Sequence, residues 1–166
     1  RRIKENDKRE VWRAEIAGGV YYLKYYARDG WSNHLRRLIG RAACEAEWNS
    51  GTFALQAGIP AVVPAGLTRT VRRADGHYAL LVTVAVEPAY PLGEMFLRVL
   101  KDENAERRRK DIAQLAELLG EMIARAHQAG FEHLDMHAAN ILAEPVAPGK
   151  YRTLFADLHS ARLGVP

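Results

Sequence analysis

The sequence lacks the features that crosslink a chain or anchor it in a membrane. Its 166 residues contain one cysteine, Cys44, which excludes an intramolecular disulfide and a zinc site built from several cysteines. No apolar run reaches the ~18 residues that a membrane-spanning helix needs. Residues 1–7 are mostly charged, with no apolar segment behind them, so no secretory signal peptide is predicted. These absences favour a reducing, cytoplasmic compartment.

The sequence also has no large excess of one charge. Its net charge is +4, and its composition of 48% hydrophobic and 27% charged residues is typical of a globular domain. Basic residues cluster in residues 1–9, at His34–Arg41 and at Arg107–Lys110. Such clusters are usually solvated surfaces, and no nucleic-acid-binding motif accompanies them, so we expect no nucleic-acid partner. The alternative is an anionic partner, either a phosphorylated substrate or a membrane surface.

The first half of the sequence predicts a β-rich region with one helix. Residues 11–17 and 20–26 are rich in β-formers and are separated by two glycines, which predicts a hairpin. A helix is predicted over residues 33–57 and stops before a Gly-Ile-Pro sequence. Two further strands are predicted at 62–71 and 78–86, with an Asp-Gly turn between them.

The second half predicts mainly helices. Two prolines near residue 90 mark the boundary between a β-rich lobe at 1–86 and a helical lobe at 87–166. A short helix is predicted at 92–101, and strands at 141–143 and 151–156 form a hairpin. A long helix lies between them, with one apolar stripe formed by Ile112, Leu115, Ala116, Leu119, Met122, Ile123 and Ala126.

Polar residues that could take part in catalysis or metal binding concentrate in the loop after the long helix. Asp135 precedes Asn140 by five positions, and Asp157 follows the second strand of the predicted hairpin. We expect the hairpin to bring Asn140 and Asp157 together, where their oxygens suit a hard cation such as Mg²⁺. Asp135 would then be left to accept a proton.

Two histidines in the same loop allow another interpretation. His133, Asp135 and His137 alternate, so on a strand they would share a face and could bind zinc. The full metallohydrolase motif is absent, which disfavours this interpretation. For His133 a core position with a hydrogen bond to the backbone is the preferred prediction.

The spacing of Asp135, Asn140 and Asp157 matches the kinase pattern H-x-D-x-x-x-x-N followed by a metal-binding Asp. The chain resembles the lipopolysaccharide kinase family, bacterial kinases of the protein-kinase-like superfamily that phosphorylate Kdo or heptose of the inner core. The resemblance covers residues 9–164. It is carried by Val20–Lys24, Glu47–Asn49, Gly58–Pro60, Ile123–Gly130, His133–Leu142 and Asp157–Arg162.

This resemblance implies an α+β, two-lobed, protein-kinase-like fold, with an antiparallel sheet in the N-terminal lobe and a mainly helical C-terminal lobe. Lys24 would hold the α- and β-phosphates of ATP, and Glu47 would pair with Lys24. Glu45 is the fallback partner, because it lies only two residues away. The backbone of Val84 and Val86 would contact adenine.

For the second lobe the resemblance implies that Asp135 accepts the proton of the substrate hydroxyl. Asn140 and Asp157 would hold Mg²⁺, or Mn²⁺ in its place. The acceptor would be a sugar or glycolipid, and the family's substrate suggests peripheral contact with the cytoplasmic face of the inner membrane. A protein Ser/Thr kinase, another small-molecule kinase and a nucleotide-binding pseudokinase are the alternatives.

Several departures from the kinase pattern accompany the resemblance. Leu134 stands where eukaryotic protein kinases have Arg, and Asp157 is followed by Leu158-His159 rather than Phe-Gly. No glycine occurs in residues 1–10, so a turn near Lys4–Lys8 is expected to replace the Gly-rich loop. The sequence ends soon after Asp157, which predicts a C-terminal lobe that lacks its later helices.

Overall fold

The computed structural model describes residues 1–6, 9–27 and 42–164. The chain forms two compact units, and one change of unit falls between Ala85 and Val86. The first unit comprises Arg1–Phe53, Val62–Ala85 and Leu158–Ser160, and the second comprises Ala54–Ala61, Val86–Asp157 and Ala161–Pro166.

The first unit is built on a five-stranded antiparallel sheet with the strand order β1-β2-β3-β5-β4. The predicted hairpins are confirmed: β2 and β3 meet at a turn in which Gly18 has φ 80°, and β4 and β5 meet just before Gly76. The strands are β1 Arg2–Asn6, β2 Arg9–Ile16, β3 Gly19–Ala27, β4 Pro64–Arg73 and β5 Gly76–Val84.

Strand β1 is an element that the sequence did not predict. Lys4 to Asn6 belong to β1, which pairs antiparallel with β2 up to Asn6 opposite Arg9, so the turn expected near Lys4–Lys8 is not contradicted. The sequence Arg-Ile-Lys-Glu-Asn contains a single apolar residue, so no alternation marks it as a strand. Residues 7 and 8 lie outside the described part of the chain.

Helix α1 spans Ala43–Gln56 and buries one face. Cys44, Glu47, Ser50 and Ala54 are buried at the helical spacing of three or four residues. A Cβ added at Gly51 would lie 3.1 Å from Pro64 of β4, so the glycine permits this close approach. The predicted helix over 33–57 is confirmed from residue 43 onward, and its first part lies outside the described residues.

Helix α1 ends where the sequence predicted. Gly58 has φ 66°, in the left-handed region that glycine adopts without steric cost, and the N–H of Ile59 donates to the carbonyl of Ala54 at 2.8 Å. Pro60 follows and cannot continue the helix. Its carbonyl accepts from the N–H of Phe155 at 3.0 Å, within the second unit.

The second unit contains helices α2 (Leu92–Leu100) and α3 (Ala105–Gln128) and two small antiparallel sheets. Asn104 caps α3 by accepting from the N–H of Arg107 at 2.9 Å. The strands are β6 Tyr90–Pro91, β7 Phe131–His133, β8 Ile141–Ala147, β9 Lys150–Phe155 and β10 Ala161–Leu163; a 3₁₀ turn at Leu158–Ser160 belongs to the first unit.

The core of the second unit lies under the predicted stripe of α3. Leu115, Met122 and Ala126 are buried there, and Phe131 and Phe155 are each only 1% exposed. The hairpin β8–β9 is confirmed, with Ile141 opposite Phe155. Within the described ranges, no helix combines the length and apolar character needed to cross a membrane.

Candidate active site

His133 has a structural role in the second unit. It is buried, its Nε2 lies 3.0 Å from the carbonyl oxygen of Ala156, and its ring packs 5.5 Å from that of Phe155. A nitrogen that faces a carbonyl must carry the proton, so Nε2 donates this bond. The prediction of a core histidine bonded to the backbone is confirmed.

The zinc interpretation finds no support in this geometry. The Nε2 of His133 is committed to the backbone, while His137 is exposed, with its Nε2 3.6 Å from Oδ1 of Asp135. In the part of the chain that the structure describes, no three or more His, Cys, Asp or Glu side chains are grouped so as to hold a metal ion.

Asp135 and Asn140 form a hydrogen-bonded pair. The Nδ2 of Asn140 donates to the backbone carbonyl of Asp135 at 3.0 Å and to its Oδ2 at 3.1 Å. Two acceptors on one side of the amide fix its orientation, because only the nitrogen can donate. Asn140 is buried, whereas the side chain of Asp135 is 50% exposed. The carboxylate is therefore held in place yet remains open to solvent.

The orientation of Asn140 leaves its amide oxygen available. Among the described residues, no group donates a hydrogen bond to Oδ1 of Asn140. Amide and carboxylate oxygens are ligands that Mg²⁺ accepts. The donor set of Asn140 and Asp157 fits a hard divalent cation in its chemistry.

The hairpin brings Asn140 and Asp157 to the same end of β8 and β9. Asn140 directly precedes β8, and its carbonyl accepts from the N–H of Ala156 at 2.8 Å. Asp157 is the next residue and has φ 58°, a left-handed conformation that is uncommon outside glycine. The expectation that the hairpin brings the two segments together is confirmed. Strained backbone, such as the left-handed conformation of Asp157, concentrates at functional sites.

Lys24 and Glu47 form an ion pair within the first unit. The Nζ of Lys24 contacts Oε1 of Glu47, and their side chains are 13% and 6% exposed. Glu45 instead pairs with Arg69 at 3.2 Å, and the Arg69 side chain is 79% exposed. The choice of Glu47 over Glu45 follows from the helix, because Glu47 lies on the buried face of α1.

Tyr26 is the residue at this site that the sequence interpretation missed. Its hydroxyl donates to Oε2 of Glu47, the oxygen that Lys24 does not use. Successive side chains of a strand point to opposite faces, so Lys24 and Tyr26 share one face of β3. The spacing of two residues between Lys24 and Tyr26 was the signal in the sequence that could have identified Tyr26. Burial, and next the Glu47 carboxylate, raises the pKa of Tyr26, so its hydroxyl stays protonated.

The predicted adenine-contacting residues differ in their backbone bonds. The N–H of Val84 donates to the carbonyl of Val63 at 2.9 Å, and that of Ala85 donates to Val20 at the same distance. Neither N–H is available to a base. Among the described residues, the backbone of Val86 bonds to no other group.

Comparison with known proteins identifies the family. Residues 1–166 match the lipopolysaccharide kinase (Kdo/WaaP) family, and the chain belongs to that family. A curated relative, "Lipopolysaccharide core heptose(I) kinase WaaP" of Pseudomonas aeruginosa, is 23% identical over 166 residues, which cover 96% of this chain and 61% of the relative. The predicted resemblance is confirmed.

A solved structure shows the same fold. The structure titled "WaaP in complex with acyl carrier protein" superposes with a TM-score of 0.67 at 19% identity, covering 99% of this chain and 64% of that chain. The prediction of an α+β, protein-kinase-like fold is confirmed. The chain spans less than two thirds of the length of both relatives.

Proposed function

We propose that this chain is the phosphotransferase part of a lipopolysaccharide core kinase, which transfers the γ-phosphoryl group of ATP to a hydroxyl of an inner-core sugar. Membership of the lipopolysaccharide kinase family supports the reaction class. The observation that carries the proposal is the Asp135–Asn140 pair, in which an exposed carboxylate is oriented by a buried amide whose oxygen remains available.

In the second unit, Asp135 is the residue that accepts the proton of the attacking hydroxyl. Its Oδ2 is held by Asn140, and half of its side chain is accessible to an acceptor. A positioned base of this kind contributes about 10²- to 10⁴-fold to a rate. Asn140 and Asp157 would hold Mg²⁺, which when bound neutralises charge on the phosphate oxygens.

In the first unit, Lys24 binds the phosphates of ATP, and Glu47 holds its ammonium group in place. Phosphoryl transfer needs positioning and charge neutralisation more than covalent chemistry, so a lysine with a fixed partner suits this role. The unbonded backbone of Val86 makes it the better of the two predicted adenine contacts, because the N–H of Val84 is already used.

The acceptor is proposed as an inner-core sugar, Kdo or heptose. The family description names Kdo, and the Pseudomonas aeruginosa relative is named a heptose kinase. Such an acceptor is part of a membrane glycolipid, so we also propose peripheral contact with the cytoplasmic face of the inner membrane. The basic residues of Arg107–Lys110 would favour an anionic surface of this kind.

The test measures transfer of γ-labelled phosphate by the full-length protein. Kdo-containing lipid A, heptosylated core lipopolysaccharide and a generic protein substrate are compared, with Mg²⁺, with Mn²⁺ and with a chelator. We expect metal-dependent transfer to a sugar and a loss of at least about 100-fold in Asp135→Asn. The matched control is Asp75→Asn in the exposed β4–β5 turn, which should keep full activity.

Three results would contradict the proposal in different ways. Transfer to the protein substrate alone would make the chain a protein kinase. ATP binding without transfer to any acceptor would make it a pseudokinase. Full activity of Asp135→Asn would remove Asp135 from the mechanism.

A further inference from the structure

The carboxylate of Glu47 has a separate donor for each of its oxygens. Lys24 Nζ contacts Oε1, and the hydroxyl of Tyr26 donates to Oε2. Both donors stand on β3, two positions apart, and Glu47 comes from α1. One carboxylate therefore ties two side chains of one strand face to the helix.

The bond from Tyr26 to Glu47 matters because the Glu47 carboxylate is buried. Glu47 is 5% exposed, so water does not readily replace a lost donor. Within the described ranges, the carboxylate of Glu47 has no hydrogen-bond or ion-pair partner other than Lys24 and Tyr26. Leaving one oxygen of a buried carboxylate unpaired costs free energy. The bond from the Tyr26 hydroxyl therefore fixes the orientation of the carboxylate plane.

Tyr26 is itself held from the other side. Arg9 lies opposite Tyr26 in the β2–β3 pairing, and its Nη1 donates to the Tyr26 hydroxyl oxygen at 3.4 Å. The Arg9 guanidinium carbon lies 5.8 Å from the centre of the Tyr26 ring. The hydroxyl accepts from Arg9 and donates its proton to Glu47, so its direction is defined by partners on both sides.

We propose that Tyr26 is a positioning residue for the proposed phosphotransferase reaction: by holding Oε2 of Glu47, it keeps Oε1 turned to Lys24 and so sets where the lysine ammonium meets the phosphates of ATP. The inference rests on the proposed function. Tyr26 acts through Glu47 and Lys24 and touches no reacting atom. Without the hydroxyl, the carboxylate turns both oxygens to Lys24 and draws its ammonium away from the phosphates.

The first experiment compares Tyr26→Phe with Tyr25→Phe in the full-length protein. Tyr25 is the adjacent residue, on the opposite face of β3, and its ring contacts Tyr78 and Arg73. Its hydroxyl bonds to no described residue, so both variants lose one hydroxyl but only one loses a bond. We expect kcat/KM for ATP to fall about 10-fold in Tyr26→Phe and to stay within about twofold in Tyr25→Phe.

A double-mutant cycle separates positioning from general destabilisation. In a Glu47→Ala background the Tyr26 hydroxyl has no carboxylate to hold, so adding Tyr26→Phe should lower kcat/KM no further. An equal loss from Tyr26→Phe in both backgrounds would overturn the proposal, because it would show that the tyrosine acts independently of Glu47.

A crystal structure of Tyr26→Phe tests the same inference without any activity. We expect the Glu47 carboxylate to be rotated and Lys24 Nζ to be displaced, whereas Tyr25→Phe should leave both unchanged. Unmoved Glu47 and Lys24 would overturn the positioning role even in an active kinase. An inactive wild-type protein with a rotated Glu47 in Tyr26→Phe would instead contradict the proposed function and leave the positioning geometry supported.

Discussion

Lys24 and Glu47 lie 23 residues apart and meet because a helix packs on a sheet, whereas Asp135 and Asn140 lie five residues apart in one loop. The first pair is almost fully buried, and the second combines a buried amide with a half-exposed carboxylate. Burial ties the first pair to the stability of its unit. The exposed carboxylate of the second can be lost with little effect on folding.

The two units therefore position their charged candidate functional groups in different ways. In the first unit the candidate functional residues themselves join β3 to α1, through the bonds of Lys24 and Tyr26 to Glu47. In the second unit the packing is done by other residues, such as Leu115 and Phe155, and the candidate functional groups lie at the end of the hairpin. Substitutions of Lys24 or Glu47 should therefore reduce stability and activity together, whereas Asp135→Asn and Asp157→Asn should lower activity with little change in stability.

The largest expected effect is at Asp157. Asp157→Asn removes the charge but keeps a residue that tolerates the φ of 58°. We expect the phosphotransfer rate to fall by about 10³-fold, the scale of a lost metal contribution of several kcal/mol, while the melting temperature stays nearly unchanged. Labelled-phosphate transfer and thermal unfolding measure the two quantities.

Asp157→Ala is the companion variant. Alanine is strained at this φ, so it should lose the same activity and in addition destabilise the protein by about 1 kcal/mol. Equal activity of Asp157→Asn and the wild type would remove Asp157 from the proposed metal site and weaken the contrast between the units.

The next effect in size is at Glu47. Glu47→Ala leaves the Lys24 ammonium without its carboxylate in a buried setting, so we expect unfolding to become easier by about 3 kcal/mol, with kcat/KM for ATP reduced but still measurable. Denaturant unfolding followed by circular dichroism measures the change. Glu45→Ala is the matched control: its partner Arg69 is mostly exposed, so the change should stay below about 1 kcal/mol. Equal losses in the two variants would show that burial does not distinguish these glutamates.

The same contrast explains what the sequence could predict of the site. The Asp135–Asn140 pair is local, so its spacing alone indicated the loop, and the hairpin that follows placed Asp157 near Asn140. The pairing of Lys24 with Glu47 came from the family resemblance, with Glu45 as the fallback, because spacing alone does not show which face of α1 is buried. Tyr26 was missed because its partner lies 21 residues away and the segment that carries the resemblance ends at Lys24.

The elements of the fold also divide into those with a strong local sequence pattern and those that depend on distant contacts. The stripe of α3 and the hairpins were predicted, because each is a strong local pattern. The strands β6, β7 and β10 were not, since two or three residues cannot show alternation and each strand exists by pairing with a distant segment. Spacing along the sequence predicts sites and elements whose residues lie close together in the chain. It does not predict contacts that form only when distant segments pack together.

The smallest expected effect concerns the anchor of the β8–β9 hairpin. The hydroxyl of Tyr151 in β9 donates to Oδ2 of the buried Asp111 in α3 at 2.9 Å. Tyr151→Phe should cost about 1 kcal/mol of unfolding free energy, because Asp111 loses a hydrogen bond. Activity below the unfolding temperature should stay unchanged, since neither residue belongs to the candidate site. Thermal unfolding and phosphate transfer of the same preparation check both expectations.

The anchor also predicts a pH dependence with a definite sign. Burial, and next the bond to Asp111, raises the pKa of Tyr151 to about 12 from its ordinary value of 10.0. The neutral hydroxyl therefore stabilises the fold fully below pH 10, and this contribution is lost as the pH rises through 12. The stability advantage of the wild type over Tyr151→Phe should shrink across that window. A pH-independent gap between wild type and Tyr151→Phe would show that the Tyr151 hydroxyl does not anchor the hairpin.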